Sequence, residues 1–287
     1  MKKKEAVVRK SNVFIDGRYR FGLHEQKILL LIVSQIRTDQ KEFIPYRVSW
    51  SEIKRISKGK LNTVAKIDKA CESLKNKTIS VKDGRVTDNF GFLSGWKTYQ
   101  GKYIDFRIDP GMKSMLLNLL EEGNFTLYDL EFALALPSPH AIRMYEILKS
   151  LVWKSQPVEI DLDKLKHALD ISPKSRTYSD FGSVRRFILD RSQKNLEKYT
   201  DIVFDYEPIK EGRKVASIRF WIKDNVKYQK TVQAKSKRDF IRPGDLILIA
   251  GEECEVVSGG CYYKEQAIPI GRLNEMYQNK EIEKVKK

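Results

Sequence analysis

The side chains best suited to chemistry lie on one predicted helix, Asp180 to Tyr199. At about 100° per residue, six polar positions share one face of that helix. They are Ser183, Arg186, Asp190, Gln193, Lys194 and Glu197. Arginine can pair with guanine, glutamine with adenine, and a carboxylate with the amino group of cytosine. This face can therefore read base edges, although a charged helix face is more often simply solvated.

The composition favours a polyanionic partner. The 287 residues include 54 Lys and Arg against 38 Asp and Glu, which gives a formal net charge of +16. Clustered basic side chains gain affinity for nucleic acids because they release counterions from the phosphates. A hydrophobic content of 41% is enough to build folded cores. We therefore expect a folded protein with a polyanionic partner, and the base-reading face of the 180–199 helix favours double-stranded DNA as that partner.

Catalytic and metal-binding signatures are incomplete in this sequence. His24-Glu25 begins a metalloprotease pattern, but Ile28 occupies the position of its second histidine. Gly59-Lys60 lacks the earlier glycine of a phosphate-binding loop. The three cysteines are too few and too scattered for a disulfide framework. We expect a binding protein with no catalytic residue, no metal and no cofactor.

No segment of the sequence predicts a membrane span or an export signal. The longest purely apolar run, Ile28 to Val33, is too short to cross a bilayer. The basic residues after Met1 are not followed by a long apolar stretch. We therefore expect a cytoplasmic protein that makes no contact with a membrane.

A helix-turn-helix is predicted in the first half of the chain. Ser49 and Glu52 have the spacing of a capping box, which opens a short helix. Lys58-Gly59-Lys60 ends that helix, and a second helix is predicted from Leu61 to Asn76. The polar side of the second helix includes Asn62, Lys66 and Lys69. The strands that follow, between Thr78 and Ile108, are predicted to form the wing of a winged helix.

The second half of the chain repeats this order of elements. Val158 to Leu165 aligns with Tyr46 to Ile53 at a constant offset, and Asp161 stands in the position of Ser49. The helix Asp180 to Tyr199 then takes the place of the second helix, and another predicted hairpin follows it. The basic tip of that hairpin contains Lys210, Arg213 and Lys214. Chance alone could place a hairpin after a helix, but the caps and polar faces recur as well, which favours duplication.

The predicted fold is α+β, with two tandem winged-helix domains and a small C-terminal β-rich module. The expected boundaries are 1–136 for the first domain, 137–226 for the second, 227–238 for a linker and 239–287 for the module. Three further elements are predicted from the local pattern. They are an extended arm at Asn12 to Arg20, a helix at Thr126 to Leu136 and a charged helix from Leu273 to Lys287.

Several segments carry motifs of a known family. Leu23 to Leu29 and Phe125 to Tyr128 contain two of them, and His140 to Leu148 echoes a signature of Arg, an apolar residue, Tyr, Glu and Leu-Leu. The match continues through the second helix-turn-helix and its wing, and it covers roughly Ser11 to Lys223. In these segments the chain resembles the iteron-binding plasmid replication initiators, which are Rep proteins with tandem winged-helix domains.

This resemblance implies a function at a plasmid origin. Proteins of this family bind short repeats with both winged domains, help to open the adjacent AT-rich duplex, and recruit the host helicase and the host initiator protein. As dimers they commonly repress their own gene, so a homodimer is implied as a further partner. The family has no catalytic residue for this role, and we expect Arg143, Tyr145 and Glu146 of the signature to be structural.

The candidate DNA-binding residues come from both predicted domains. They are Asn62, Lys66, Lys69, Ser183, Arg186, Gln193, Lys194, Lys210, Arg213 and Lys214. The alternative function is a winged-helix transcriptional repressor without an origin role, and a strand-nicking enzyme is disfavoured by the missing histidine cluster. Direct repeats beside an AT-rich stretch near the gene would favour initiation, whereas a single inverted repeat would favour repression alone.

Overall fold

The computed structural model describes residues 6–83, 86–99, 101–117, 119, 123–172, 175–178, 180–226, 246–257, 260–263, 266–278 and 281–284. These residues form two compact units. The first unit takes its residues from 1–125, 129–143 and 166–172, and the second takes them from 126–128, 144–165 and 173–287. The predicted linker 227–238 lies outside the described residues.

The N-terminal half alternates short helices and strands. Its helices are α1 (Asn12–Asp16), α2 (Leu23–Val33), α3 (Trp50–Ile56), α4 (Val64–Asn76), α5 (Lys113–Leu116), α6 (Leu130–Ala135) and α7 (Pro139–Lys149). Its strands are β1 (Val7–Ser11), β2 (Tyr46–Ser49), β3 (Thr78–Asp83), β4 (Val86–Gly91), β5 (Leu93–Tyr99), β6 (Tyr103–Ile108) and β7 (Phe125–Asp129).

The C-terminal half contains a second helix-turn-helix and a separate group of short strands. Its helices are α8 (Leu162–Ala168), α9 (Phe181–Val184), α10 (Asp190–Tyr199) and α11 (Ile270–Gln278). Its strands are β8 (Val158–Asp161), β9 (Ile202–Glu211), β10 (Lys214–Asp224), β11 (Leu246–Ile249), β12 (Glu252–Glu255), β13 (Gly260–Tyr263), β14 (Gln266–Pro269) and β15 (Glu283–Lys284). None of the described helices is long and apolar enough to cross a membrane.

The first winged helix consists of α2, α3, α4 and a three-stranded sheet in the order β2-β6-β5. The sheet is antiparallel, with Tyr46 opposite Phe106 and Ser49 opposite Tyr103. The predicted capping box at the start of α3 is confirmed. The Glu52 backbone N–H donates to Ser49 Oγ at 3.2 Å, and the Ser49 backbone N–H donates to Glu52 Oε2 at 3.1 Å.

The second winged helix repeats the first at the predicted offset. Its sheet has the order β8-β10-β9, so each strand has a counterpart in β2-β6-β5. Strand β8 and helix α8 occupy the positions equivalent to β2 and α3. The Asp161 carboxylate caps α8 by accepting from the backbone N–H of Lys164 at 2.8 Å, as Ser49 caps α3. The duplication predicted from the sequence is therefore confirmed by sheet order and by capping.

The wing of the first domain is not the hairpin that directly follows α4. That hairpin, β3–β4, is a two-stranded sheet of its own, and only the next pair, β5–β6, joins β2. Backbone hydrogen bonds in both directions between Arg18 and Ser80, at 2.9 and 3.0 Å, attach β3 to the N-terminal segment instead. The sequence predicts a single wing from the three strands, because hairpin patterns carry no information on which sheet they join.

Three predicted elements differ from the structure. The predicted arm at 12–20 contains helix α1, because the Ser11 hydroxyl accepts from the Phe14 backbone N–H at 3.1 Å and starts a helical turn. The predicted helix at 126–136 begins as strand β7, and only residues from Leu130 are helical. Helix α11 ends at Gln278, and Glu283–Lys284 pairs with β11 as a strand.

Helix α7 carries the family signature, and its polar side chains are buried. Arg143 is 2% exposed, and its guanidinium donates to the Tyr19 hydroxyl and to the carbonyl oxygens of Ile15, Gly17 and Ala168, the last three at 2.6, 3.1 and 3.0 Å. The Tyr145 hydroxyl donates to the Asp201 carboxylate at 2.9 Å. Glu146 accepts from the Tyr128 hydroxyl. These contacts support the expected structural role of the signature.

The strands from β11 onwards form a hydrophobic core of their own. Its buried members are Ile247, Ile249, Cys254, Val256, Cys261, Leu273 and Ile282. The same segment also touches β7 within the second unit, because a Cβ atom at Gly271 would lie 2.1 Å from a methyl carbon of Leu127. The predicted boundary at 226 separates this core from the winged helices, and it stays a prediction.

Truncation after Asn225 tests whether the C-terminal core is a separate folding unit. We expect the truncated chain to keep both winged helices, because their sheets and helices end before that residue. Exposure of Leu127 should lower the free energy of unfolding by no more than about 1–2 kcal/mol. Urea unfolding of the two chains measures the difference. A truncated chain without a cooperative transition would show that the winged helices need the module to fold.

Candidate nucleic-acid interface

The second recognition helix begins at a side-chain cap. The Asp180 carboxylate accepts from the Ser183 backbone N–H at 2.8 Å and from the Ser183 hydroxyl at 3.1 Å. A carboxylate at this position also interacts favourably with the positive end of the helix dipole. Ser183 is half-buried and its hydroxyl donates within the helix. The predicted contact of Ser183 with DNA stays a prediction. In that contact the hydroxyl would act as an acceptor, because its proton is donated to Asp180.

One π turn, Arg185–Leu189, joins α9 to α10. The Asp190 backbone N–H donates to the Arg185 carbonyl, which is five residues earlier instead of four. Five buried side chains recur every four residues along this helix and its C-cap, at Val184, Ile188, Ser192, Leu196 and Thr200, and Leu189 next to Ile188 is buried as well. In an uninterrupted α-helix, four such steps would drift by about 160° around the axis. The extra residue in the π turn keeps all five side chains on the buried face.

The cations of this helix form an exposed surface. Arg185, Arg186, Arg191, Lys194 and Lys198 are all exposed. The Arg186 and Arg191 guanidiniums lie 5.4 and 5.2 Å from the centre of the Phe187 ring. Arg186 and Lys194 were predicted here, whereas Arg185, Arg191 and Lys198 were missed. A spacing of 100° for every residue gives wrong side-chain directions for the residues after the π turn. The recurrence of core positions every four residues in the sequence was the signal that indicated the π turn.

Gln193 points toward the wing strand. Its amide nitrogen donates to the Phe204 carbonyl at 2.8 Å and to Asp205 Oδ1 at 3.2 Å, both on β9. Its predicted role in base reading stays a prediction, and it requires the amide to release the Phe204 carbonyl. Asp190, which the sequence placed on the same polar face, accepts a hydrogen bond from the Tyr206 hydroxyl. Burial, and then this bond to Asp190, raise the pKa of Tyr206 to about 12.

The wing of the second domain ends in a tight turn with exposed cations. Glu211 pairs with Lys214, and Gly212 occupies the first central position of the turn with φ of 62°. Glycine adopts this conformation without steric cost, which suits a two-residue hairpin loop. Lys210, Arg213 and Lys214 are exposed around this tip, as the sequence predicted for their position in the hairpin.

The first domain presents a smaller polar set. Asn62, Lys66 and Lys69 are exposed at the start of α4, which Thr63 caps by accepting from the Lys66 backbone N–H at 3.4 Å. Lys66 Nζ donates to Asn62 Oδ1 at 3.1 Å, so these two side chains hold each other. Asp68, one turn on, accepts from Trp96 Nε1 and from the Thr98 hydroxyl, both at 2.9 Å on β5. The helix is thereby fixed to its wing, as α10 is fixed to β9.

The part of the chain that the structure describes offers binding surfaces and no arrangement of metal ligands. Among the described residues, no group of three or more His, Cys, Asp or Glu side chains could hold a metal ion. Cys71 is buried against the apolar side of α4, and burial, with a smaller effect of Asp68, raises the pKa of its thiol to about 12. A thiol of this kind packs as a small hydrophobic side chain.

Tyr206→Phe tests the link between the recognition helix and its wing. At pH 8 the loss of the hydrogen bond should lower the free energy of unfolding by about 1 kcal/mol. Because the folded protein raises the pKa of Tyr206, its contribution to stability is present below pH 10 and is lost as the pH rises toward about 12.

The measurement is urea unfolding of the wild type and the variant at both ends of that range. Tyr199→Phe is the matched control, because the Tyr199 hydroxyl has no partner among the described residues. The difference between wild type and Tyr206→Phe should shrink at high pH. A difference that stays constant would mean that the ionisable hydroxyl and its bond to Asp190 do not account for the difference in stability.

Two solved structures match the chain to different degrees. The Pi initiator protein in complex with iteron DNA matches with a TM-score of 0.61 and 15% identity, over 76% of this chain and 97% of that chain. A structure of domains 2 and 3 of RctB matches with a TM-score of 0.41 and 16% identity, over 70% of this chain and 81% of that chain. At these identities, the first match shows a common fold. No curated protein sequence matches the chain.

Family models match both halves of the chain. Residues 7–149 match the model described as "Initiator Replication protein, WH1", and residues 161–222 match the model described as "Initiator Rep protein, WH2". The two matches fall on the two winged helices found in the structure, in the same order. The chain therefore belongs to the initiator replication (Rep) protein family and has its two winged-helix domains.

Proposed function

We propose that this chain initiates plasmid replication by binding repeated duplex DNA sites at the origin through both winged helices. The observation that carries the proposal is the exposed cationic surface on the recognition helix of the second domain, together with the cations at the tip of its wing. Family membership supports the initiator role, and the likeness to a Pi initiator solved with iteron DNA supports the choice of repeats.

The recognition helix and wing tip of the second domain suit a major groove flanked by phosphates. A recognition helix inserts into the major groove, where Arg186 can donate two hydrogen bonds to a guanine. The wing tip lies at the end of a long hairpin, where exposed cations suit phosphate contacts that orient the domain. Asn62, Lys66 and Lys69 supply the equivalent polar surface in the first domain. The hydrogen bonds that hold each helix to its wing pre-organise both surfaces.

Family membership supports a proposal for the later steps of initiation. We infer that the bound protein helps to open an adjacent AT-rich duplex, recruits the host helicase and the host initiator protein, and as a dimer represses its own gene. In this proposal the chain acts in the cytoplasm and has no enzymatic role. A repressor without an origin role is the competing function.

A footprint of the full-length protein on the DNA around its own gene tests the proposal. Protection of several direct repeats next to an AT-rich stretch is the expected result. Protection of one inverted repeat alone would favour the repressor. Permanganate reactivity of the AT-rich stretch, measured in the same samples, reports whether binding opens the duplex.

Arg186→Ala tests direct base reading. We expect a loss of about 1–3 kcal/mol in binding free energy on the repeat and a relaxed preference at one base pair, because a bidentate guanine contact is lost. Competition binding against repeats with single substitutions measures both quantities. Lys198→Ala, on the same helix, is the control for loss of one exposed charge. Unchanged affinity and preference in Arg186→Ala would contradict the assignment.

Neutralising Lys210, Arg213 and Lys214 together tests the wing. We expect affinity to fall by a similar factor on the repeat and on unrelated duplexes, because phosphate contacts carry no sequence information. The dependence of the binding constant on salt should flatten by about 0.9 for each phosphate contact that is lost. Filter binding gives the slope when it is measured between roughly 50 and 200 mM salt, a range in which such slopes are resolved. A loss confined to the repeat would mean that the wing reads bases.

A further inference from the structure

Phe187 is an aromatic side chain within the cationic surface of the second recognition helix. It is the middle residue of the π turn Arg185–Leu189. Its side chain is half-buried, whereas Arg185, Arg186 and Arg191 around it are exposed. Large apolar side chains are most often buried in a core. Part of this ring instead remains open to solvent among arginines.

The row of buried positions shows which side of the helix Phe187 occupies. One residue before each buried position lies a second row, which consists of Ser183, Phe187, Arg191 and Asn195. None of these four side chains is fully buried. One residue after a buried position lies Gln193, whose amide donates to the wing strand β9. Phe187 therefore lies on the flank of the helix opposite Gln193, next to the exposed Arg186.

Two guanidiniums lie close to the Phe187 ring. The central carbon atoms of Arg186 and Arg191 are 5.4 and 5.2 Å from the ring centre. Both distances are within the range of cation–π attraction. A planar guanidinium that packs on a ring uses its face, so the N–H donors at its edge stay available. The ring thus holds two hydrogen-bond donors of the recognition helix close to an apolar surface.

This combination suits a base edge better than a phosphate. Thymine presents a methyl group in the major groove, and phenylalanine is one of the side chains that contact it. A partly exposed ring gains free energy when it and the methyl group leave water. A phosphate would suit the arginines, but the face of an aromatic ring is negative and offers nothing to an anion. The surface therefore favours a thymine beside a guanine.

We propose that Phe187 is a specificity-determining residue that contacts the 5-methyl group of a thymine close to the guanine contacted by Arg186. The inference rests on the proposed function and adds one base to what the repeat must contain. The Arg186 guanidinium lies 5.4 Å from the centre of the Phe187 ring. Stacked base pairs are about 3.4 Å apart, so the thymine should lie within about two base-pair steps of the guanine.

A methyl scan of the repeat tests the contact with the full-length chain. Each thymine of the protected repeat is replaced in turn by deoxyuridine, which lacks the 5-methyl group and keeps the hydrogen-bonding edge of thymine. The wild type should bind about fourfold more weakly when one particular thymine is replaced, because one methyl group leaves an apolar contact. Competition with the unmodified repeat measures the factor at each position.

Variants of the helix assign the effect to Phe187. Phe187→Ala should bind the unmodified repeat and the repeat with that replacement equally well, because the apolar partner of the methyl group is gone. Phe187→Leu retains an apolar side chain and should keep a smaller effect. Tyr199→Ala is the matched control. Tyr199 is also a half-buried ring of the same helix, and the Lys198 ammonium lies 5.1 Å from its centre. This control should keep the methyl scan of the wild type.

The same scan separates base contact from mere support of the arginines. A ring that only holds Arg186 and Arg191 would make Phe187→Ala weaker on every repeat while the loss at deoxyuridine stayed at its wild-type factor. Thermal unfolding of each variant without DNA sets a temperature at which all of them are folded, and binding is compared there. If Phe187→Ala does not fold, the reduced effect expected in Phe187→Leu decides the comparison.

The outcomes distinguish this inference from the proposed function. Repeat binding that is insensitive to every thymine methyl group, or equally sensitive in the wild type and Phe187→Ala, would overturn the role of Phe187 and leave the initiator function standing. A sensitive thymine far from the base pair whose preference is relaxed in Arg186→Ala would overturn the proposed pair of contacts. A wild type that protects no repeat would refute the proposed function, and this inference with it.

Discussion

The four-residue spacing of buried side chains on the second recognition helix constrains the rest of its DNA-facing surface. Val184, Ile188, Ser192, Leu196 and Thr200 can share one buried face only if the helix contains an additional residue. The π turn at Arg185–Leu189 supplies it and sets the direction of every exposed side chain after it. The core therefore determines which cations of the helix are presented together.

Both domains fix the recognition helix to its wing by the same kind of interaction. A carboxylate on the helix accepts hydrogen bonds from the first strand of the wing, from Trp96 and Thr98 to Asp68 in one domain and from Tyr206 to Asp190 in the other. In the proposed complex the helix reads bases and the wing contacts phosphates, so their relative position would decide whether both contacts can form at once. A helix that is fixed before binding loses less conformational entropy on the DNA.

Local rules were sufficient for the elements that depend on neighbouring residues. The Ser49 and Glu52 capping box, the Asp161 cap and the glycine turn at Gly212 were all recognisable, because each is decided within a few residues. The order of the two helix-turn-helix units followed from the internal repeat. Family recognition rested on the signature in α7, whose side chains are buried and structural.

Features that depend on distant partners were not predictable. Whether β3–β4 or β5–β6 is the wing depends on pairing with β2, which lies about thirty residues or more away along the chain. The direction of Gln193 depends on the π turn and on the Phe204 carbonyl.

The π turn also changes how this helix tolerates deletions. In most helices the loss of one residue turns everything beyond it by about 100° and misplaces the buried side chains. Here the loss of one residue between Val184 and Ile188 would convert the π turn to regular α-helix, in which the buried positions drift by only about 60° over the same span, against about 160° for the present sequence without its π turn. The segment that presents Arg185 and Arg186 is thus a place where chain length can vary while the core is kept, and where such a change would redirect the exposed cations of the proposed DNA-binding surface.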